Sequence, residues 1–162
     1  MSPFEDIPSD FVASTIAPPT ARQFQGSFSF PVYWTVKDTD AATAANYGMF
    51  WIAPFDCVVV RVDEVHATAG TNGGAVTLDV EKLTGTTAEG SGVSVLASTF
   101  NLKSTANTVV RIFPSTSVTS NVPQKQLVRG DRLALLTSGT LTAVNNVVVV
   151  VILKAQWNVL PR

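Results

Sequence analysis

Val147-Val148-Val149-Val150-Val151-Ile152-Leu153 is an unbroken run of β-branched or aliphatic residues with no polar side chain in it. β-Branched side chains are stiff at χ1 and fit a pleated surface better than a helical one, so the run predicts a strand. Its lack of alternation further predicts that both strand faces are covered. As a strand it spans about 23 Å. A membrane-crossing helix needs about 18 or more apolar residues, so the run does not predict one. Each fully buried aliphatic side chain contributes about 1.5 to 3 kcal/mol, and the run as a whole at most about 10 to 15 kcal/mol, enough to anchor a domain.

Working outward, Gly130-Asp131 is turn chemistry placed just before Leu133-Ala134-Leu135-Leu136, and Ser138-Gly139 predicts a hairpin closing onto the valine strand. Thr71-Asn72-Gly73-Gly74 is the strongest turn signal, because Asn-Gly and Gly-Gly tolerate the positive φ of tight hairpins. It predicts a hairpin between a strand starting after Asp56 and one with Val76, Leu78 and Val80 inward and Thr77, Asp79 and Glu81 outward. In the first of these, Val58, Val60 and Val62 lie in one phase and Val65 and Ala67 in the other, which predicts a bulge near Asp63-Glu64. Val32-Tyr33-Trp34-Thr35-Val36 alternates, the run from Tyr47 to Ala53 stops at Pro54, and short strands are expected at Val93–Leu96, Thr99–Leu102 and Val109–Phe113.

Short strands, recurrent turns and no helical period predict an all-β chain, a single antiparallel β-sandwich with the topology of a jelly roll. The sandwich is assigned to residues 31–162. Residues 1–30 carry Pro3, Pro8, Pro18 and Pro19 with phenylalanines dispersed among small polar residues, and they predict an extended N-terminal arm. Phe4, Phe11, Phe24, Phe28 and Phe30 are its candidate protein-interaction residues, docking on a neighbouring subunit or another protein; the alternative is an arm packed on its own domain.

A chain of 162 residues with 46% hydrophobic composition supports one sizeable core. Only 14% of residues are charged and the net charge is −1, so there is no broad basic field for nucleic acid or an anionic membrane. Such a neutral surface predicts partial coverage by other protein. The single Cys57 precludes an internal disulfide and reads as a small buried hydrophobe. The N-terminus, Met1-Ser2-Pro3-Phe4-Glu5-Asp6, lacks the basic and apolar regions of a signal peptide, which predicts synthesis in a cytoplasm.

No catalytic, cofactor-binding or metal-ligating residues are assigned, and no cofactor is expected. The sole His66 sits between Val65 and Ala67 with no nucleophile motif nearby, and reads as a core histidine. The carboxylate pairs Asp38/Asp40, Asp63/Glu64 and Asp79/Glu81 read as solvated strand faces, and Asp38-x-Asp40 lacks the glycine and terminal glutamate of a calcium loop. Arg129-Gly130-Asp131 reads as a turn and not as an adhesion signal. Trp34, Trp51, Tyr33 and Tyr47 sit in apolar strand patterns, which favours core packing over a sugar-binding platform. Trp157 shares the phase of Val149, Val151 and Leu153 and extends that row in the sequence pattern.

Leu127 to Leu135, then Thr137-Ser138-Gly139-Thr140-Leu141-Thr142 and the valine run, resemble small structural proteins of tailed-bacteriophage heads. Gly92-Val93 through Phe100-Asn101-Leu102 and Ala106-Asn107-Thr108-Val109-Val110 are similar to the same proteins, so that about 100 residues are covered. The resemblance implies a capsid decoration, or cement, protein: a jelly-roll homotrimer on the outside of the shell that bridges subunits of the major capsid protein. It implies a non-enzymatic virion component with neither nucleic acid nor membrane as partner, and it transfers no residue-level site. The alternatives are a carbohydrate- or receptor-binding β-sandwich of a virion fibre and another minor head or tail component.

Overall fold

The computed structural model describes residues 28–36, 48–119 and 122–156. The strands are β1 (Ser29–Val36), β2 (Met49–Ile52), β3 (Cys57–Val65), β4 (Thr77–Leu83), β5 (Val93–Ser94), β6 (Phe100–Asn101), β7 (Val110–Ile112), β8 (Val118–Thr119), β9 (Val122–Pro123), β10 (Gln126–Leu127), β11 (Arg132–Ser138) and β12 (Val147–Ala155). One sheet has the order β1-β12-β3, with β7 and β10 sharing the far edge of β3. The other has the order β2-β11-β4, with β5 and β6 sharing the far edge of β4; β8 and β9 form a separate small ribbon. All pairings are antiparallel. The chain is the expected antiparallel β-sandwich, and its strand order is consistent with a jelly roll.

The valine run is central to the first sheet, paired with β1 from Val147 to Lys154 and with β3 from Val148 to Ala155. Val147, Val149, Val151 and Leu153 are fully buried and meet Val76, Leu78, Val80, Leu133 and Leu135 from the second sheet in one core. Val148, Val150 and Ile152 face the other way and are only half-buried. The expectation of cover on both faces therefore holds for one. Among the described residues nothing forms a third layer there, and the outward row is shielded by its cross-strand neighbours Tyr33, Val65 and Asp63.

Both hairpins expected at the glycine signals are instead crossings between sheets. β3 belongs to the first sheet and β4 to the second, and β11 and β12 are likewise divided. Neither Gly73 nor Gly74 has a positive φ. The Asn-Gly preference is overridden because the segment is tied elsewhere: Gly70 N donates to Leu102 O, Thr71 N to Thr142 O, and Lys103 Nζ to the carbonyls of Asn72 and Gly74. Gly139 does need to be glycine, since its φ is +86° and a Cβ there would overlap the Ala75 carbonyl. The Gly130-Asp131 turn is as expected: Gly130 has φ +93°, and Asp131 Oδ2 accepts from Val128 N at 2.9 Å.

The bulge in β3 lies earlier than expected. Ile152 pairs with Arg61 but Leu153 pairs with Val59, leaving Val60 as the extra residue. The buried row then runs Cys57, Val59, Val62, Glu64, His66, while Val65 turns outward. Apolarity alone would have chosen Val65; two polar residues that satisfy each other took the inner row. On β1, Ala155 N donates to Phe28 O, which directs the backbone polar groups of even-numbered residues toward β12 and those of odd-numbered residues to the opposite edge, which pairs with no other strand among the described residues. Pro31, lacking an N–H, therefore falls on the edge side, where its loss breaks no ladder bond.

Leu153→Ala should cost about 2 to 5 kcal/mol in urea unfolding, whereas Val150→Thr, one step along the same strand on the outer row, should cost less than about 1 kcal/mol. Equal costs would contradict the assignment of the two faces.

Candidate functional site

The polar residues that sequence patterning assigned to solvent are largely structural. Glu81 is 2% exposed, with Oε1 accepting from Gly90 N at 2.7 Å and Oε2 from Gly92 N at 2.9 Å. It folds the 84–92 loop back over the sheet. Asp79 is half-buried, accepts from Val80 N and from Ser94 Oγ, and is pushed up from the ordinary carboxylate range by burial. The expected outward, solvated Asp79/Glu81 face is thus closed by the loop that follows β4, tied to Glu81, and by Ser94 of the adjacent strand β5, bound to Asp79, a packing effect that strand alternation does not encode. Lys82, also buried, donates to Gln126 O at 2.9 Å and so ties the second sheet to β10 of the first; burial lowers its pKa.

Asp63 and Glu64 fall on opposite faces of β3 and form no carboxylate pair. Glu64 and His66 are both buried, with Nδ1···Oε1 at 2.9 Å and Nε2 3.1 Å from Ser104 O. A carbonyl only accepts, so Nε2 carries a proton and donates. The Nδ1···Oε1 contact then needs one proton between the two side chains. Burial pushes Glu64 up from the ordinary carboxylate range, against the lowering pull of His66. His66 is a core histidine with no nucleophile among these contacts. Cys57, buried and pushed up to about 11 chiefly by burial, is a poor thiolate. Asp131 of the Arg-Gly-Asp tripeptide is 5% exposed and spent on its own turn.

Of the candidate interaction residues, Phe4, Phe11 and Phe24 lie outside the described residues, as do Asp38, Asp40, Tyr47 and Trp157. Phe28 and Phe30 join Phe55 and Trp51 in one aromatic cluster: Phe30 is 5.6 Å from Phe55 and 6.2 Å from Trp51, and Phe28 is 5.5 Å from Phe30. Both therefore pack on their own domain, although Phe28 stays 48% exposed. Trp34 and Tyr33 alternate on opposite faces of β1, Trp34 against the core and Tyr33 72% exposed, so they make no common platform.

Among the described residues, two concave surfaces stand out. The outer face of the first sheet holds a groove of about 230 Å³ floored by Val148, Val150 and Ile152 and walled by Val65, Val109, Arg61 and Asp63. At its rim Arg111 Nε and Arg61 Nε lie 2.8 and 3.2 Å from the two oxygens of Asp63, so two guanidinium groups share one carboxylate. Beside β2 lies a second concavity of about 500 Å³ lined by Met49, Phe50, Trp51, Ile52 and Arg132. Its Arg132 is already committed to Gly85 O and Thr87 O at 2.9 and 2.8 Å. Sequence reasoning did not single out the first groove; the half-buried row Val148, Val150, Ile152 was hidden inside an unbroken valine run.

No protein-family model matches the chain, and no curated protein does. Solved structures do resemble it. A chain of the cyanophage Pam1 capsid asymmetric unit superposes with a TM-score of 0.54 at 14% identity, over 82% of this chain and 88% of that one. A chain of the capsid of Ralstonia phage GP4 superposes with a TM-score of 0.51 at 16% identity, over 83% of this chain and 86% of that one. At these identities the likeness is one of fold.

The raised Glu64 pKa makes a pH prediction. The folded chain holds a proton that the unfolded carboxylate releases above about pH 4.3, so stability falls as pH rises above that value, by at most about 1.4 kcal/mol per unit. Glu64→Gln, which keeps an N–H donor to Nδ1, should flatten this slope in urea unfolding measured from pH 4.5 to 8, and an unchanged slope would refute the assignment. His66→Ala, stranding a buried carboxyl and the Ser104 carbonyl, should cost about 3 to 5 kcal/mol.

Proposed function

We propose that the chain is a structural component of a tailed-bacteriophage virion, a capsid decoration or cement protein that binds the outside of the head and bridges subunits of the major capsid protein. The observation that carries this reading is the two-sheet fold shared, over more than four-fifths of both chains, with chains of two phage capsids. The polar interior supports it: Glu64, His66, Glu81 and Asp131 are each bound to the fold's own groups, as in a scaffold. In this reading the protein works as a homotrimer, and the first 27 residues, with Phe4, Phe11 and Phe24, supply contacts between neighbours. Neither nucleic acid nor membrane is a partner, in keeping with a net charge of −1.

The test is cosedimentation of the purified protein with heads of its own phage that lack it. Saturable binding at fixed lattice positions, seen in cryo-electron maps of the decorated heads, is the expected result; no binding at micromolar concentration refutes the reading. Sedimentation equilibrium should give three times the 17.2 kDa chain mass. Deleting residues 1–27 should leave the melting temperature unchanged and weaken retention on heads at least tenfold.

A further inference from the structure

The outer face of the first sheet is apolar along Val148, Val150 and Ile152 and positive around it. Arg61 and Arg111 divide a single Asp63 carboxylate, and Lys154 is exposed at the end of the same outward row. Two copies placed face to face on this surface would bring like charges together, which opposes a symmetric pairing through it. What fits is a segment that carries apolar side chains and negative charge together. The chain contains one: Phe4-Glu5-Asp6-Ile7-Pro8-Ser9-Asp10-Phe11 has three carboxylates, three large apolar side chains and no basic residue. Its proline and acidic residues do not favour a sheet of its own.

We infer that the Phe4–Phe11 segment of one copy docks on the outer face of the first sheet of a second copy, its Phe and Ile side chains over the Val148/Val150/Ile152 row and its carboxylates against Arg61 and Arg111. Between Phe11 and Phe28 lie enough residues to reach up to about 55 Å, ample for a contact between molecules. The exchange is head-to-tail: each copy gives a segment and receives one, which closes into a ring when the rotation allows. The concavity beside β2 is a poorer receiver, because Arg132 already donates to two carbonyls. The inference rests on the arm acting as a contact segment and is independent of any capsid, so its test uses the isolated protein.

The experiment places a photo-crosslinking benzoylphenylalanine at position 4 of the full chain, mixes equal amounts of ¹⁴N- and ¹⁵N-labelled protein, irradiates, and maps the crosslinked peptides by mass spectrometry. Mixed-isotope crosslinks from position 4 to β12 or β3 are expected. Arg111→Glu should lower their yield at least fivefold, and Glu5→Lys/Asp6→Lys/Asp10→Lys combined with Arg61→Glu/Arg111→Glu should recover it. A melting curve checks that each variant is folded, and Val150→Lys, on the outer row, serves as the second face variant should Arg61→Glu/Arg111→Glu fail to fold. Crosslinks confined to one isotope, crosslinks to any other surface, or none at all would overturn the inference. Head binding that survives such a result would leave the decoration reading standing, and crosslinks without head binding would remove only that reading.

Discussion

Everything in this fold hangs on how β12 is held between β1 and β3. Its inner row, Val147, Val149, Val151 and Leu153, is the largest continuous contribution of one strand to the core, and its register with both neighbours decides which residues those neighbours bury. Pairing with β1 sets Val32 and Trp34 inward. Pairing with β3 does the same until Val60, where the extra residue changes the phase and directs Glu64 and His66 into the interior. A single insertion thus places Val62, Glu64 and His66 inward where unbroken alternation would have placed Arg61, Asp63 and Val65, and the buried polar pair then requires partners, which it finds in the Nδ1···Oε1 contact and in the Ser104 carbonyl.

That requirement recurs. Buried polar groups are costly unless paired, and this sandwich answers with side chains that bind backbone at a distance in sequence: Glu81 to the amides of Gly90 and Gly92, Lys82 to the Gln126 carbonyl, His66 to the Ser104 carbonyl. The Glu81 bonds pin an irregular loop to a regular strand, the His66 bond holds the Ser104 segment beside the end of β3, and the Lys82 bond ties the two sheets together. The irregular stretches are long and contain short strands of two or three residues, so side-chain anchors do the positioning that ladders do elsewhere.

Much of the fold was legible in the sequence, for identifiable reasons. The alternation of Val76, Leu78 and Val80, the stop at Pro54 and the Gly130-Asp131 turn are local signals with local causes, and each is found where expected. What sequence could not supply was the partner of each strand. The Asn72-Gly73 signal predicts a hairpin correctly as chemistry, yet the chain crosses to the other sheet because Leu102 and Thr142 hold the segment. Glu81 looks solvated until the 84–92 loop is tied to it. The candidate surface was the least legible part: Val148, Val150 and Ile152 are indistinguishable from their buried neighbours until the layer count of the sandwich is known. Phe28 and Phe30 carry the same difficulty, since an aromatic at a strand start looks alike whether it meets Phe55 of its own domain or a neighbour.

The proline on the edge of β1 that is unpaired among the described residues bears on how such a molecule behaves when crowded. An unpaired strand edge offers a ready template for another strand, and repeated copies held close together are where open-ended strand stacking is most dangerous. Pro31 sits among the outward backbone groups of Ser29, Tyr33 and Thr35 and deletes one donor from the middle of that row, so an incoming strand would meet a gap in its hydrogen bonding. The edge is thereby made a poor seed for fibres, and growth by adding strands is discouraged without changing the sheet face that remains open for specific contacts.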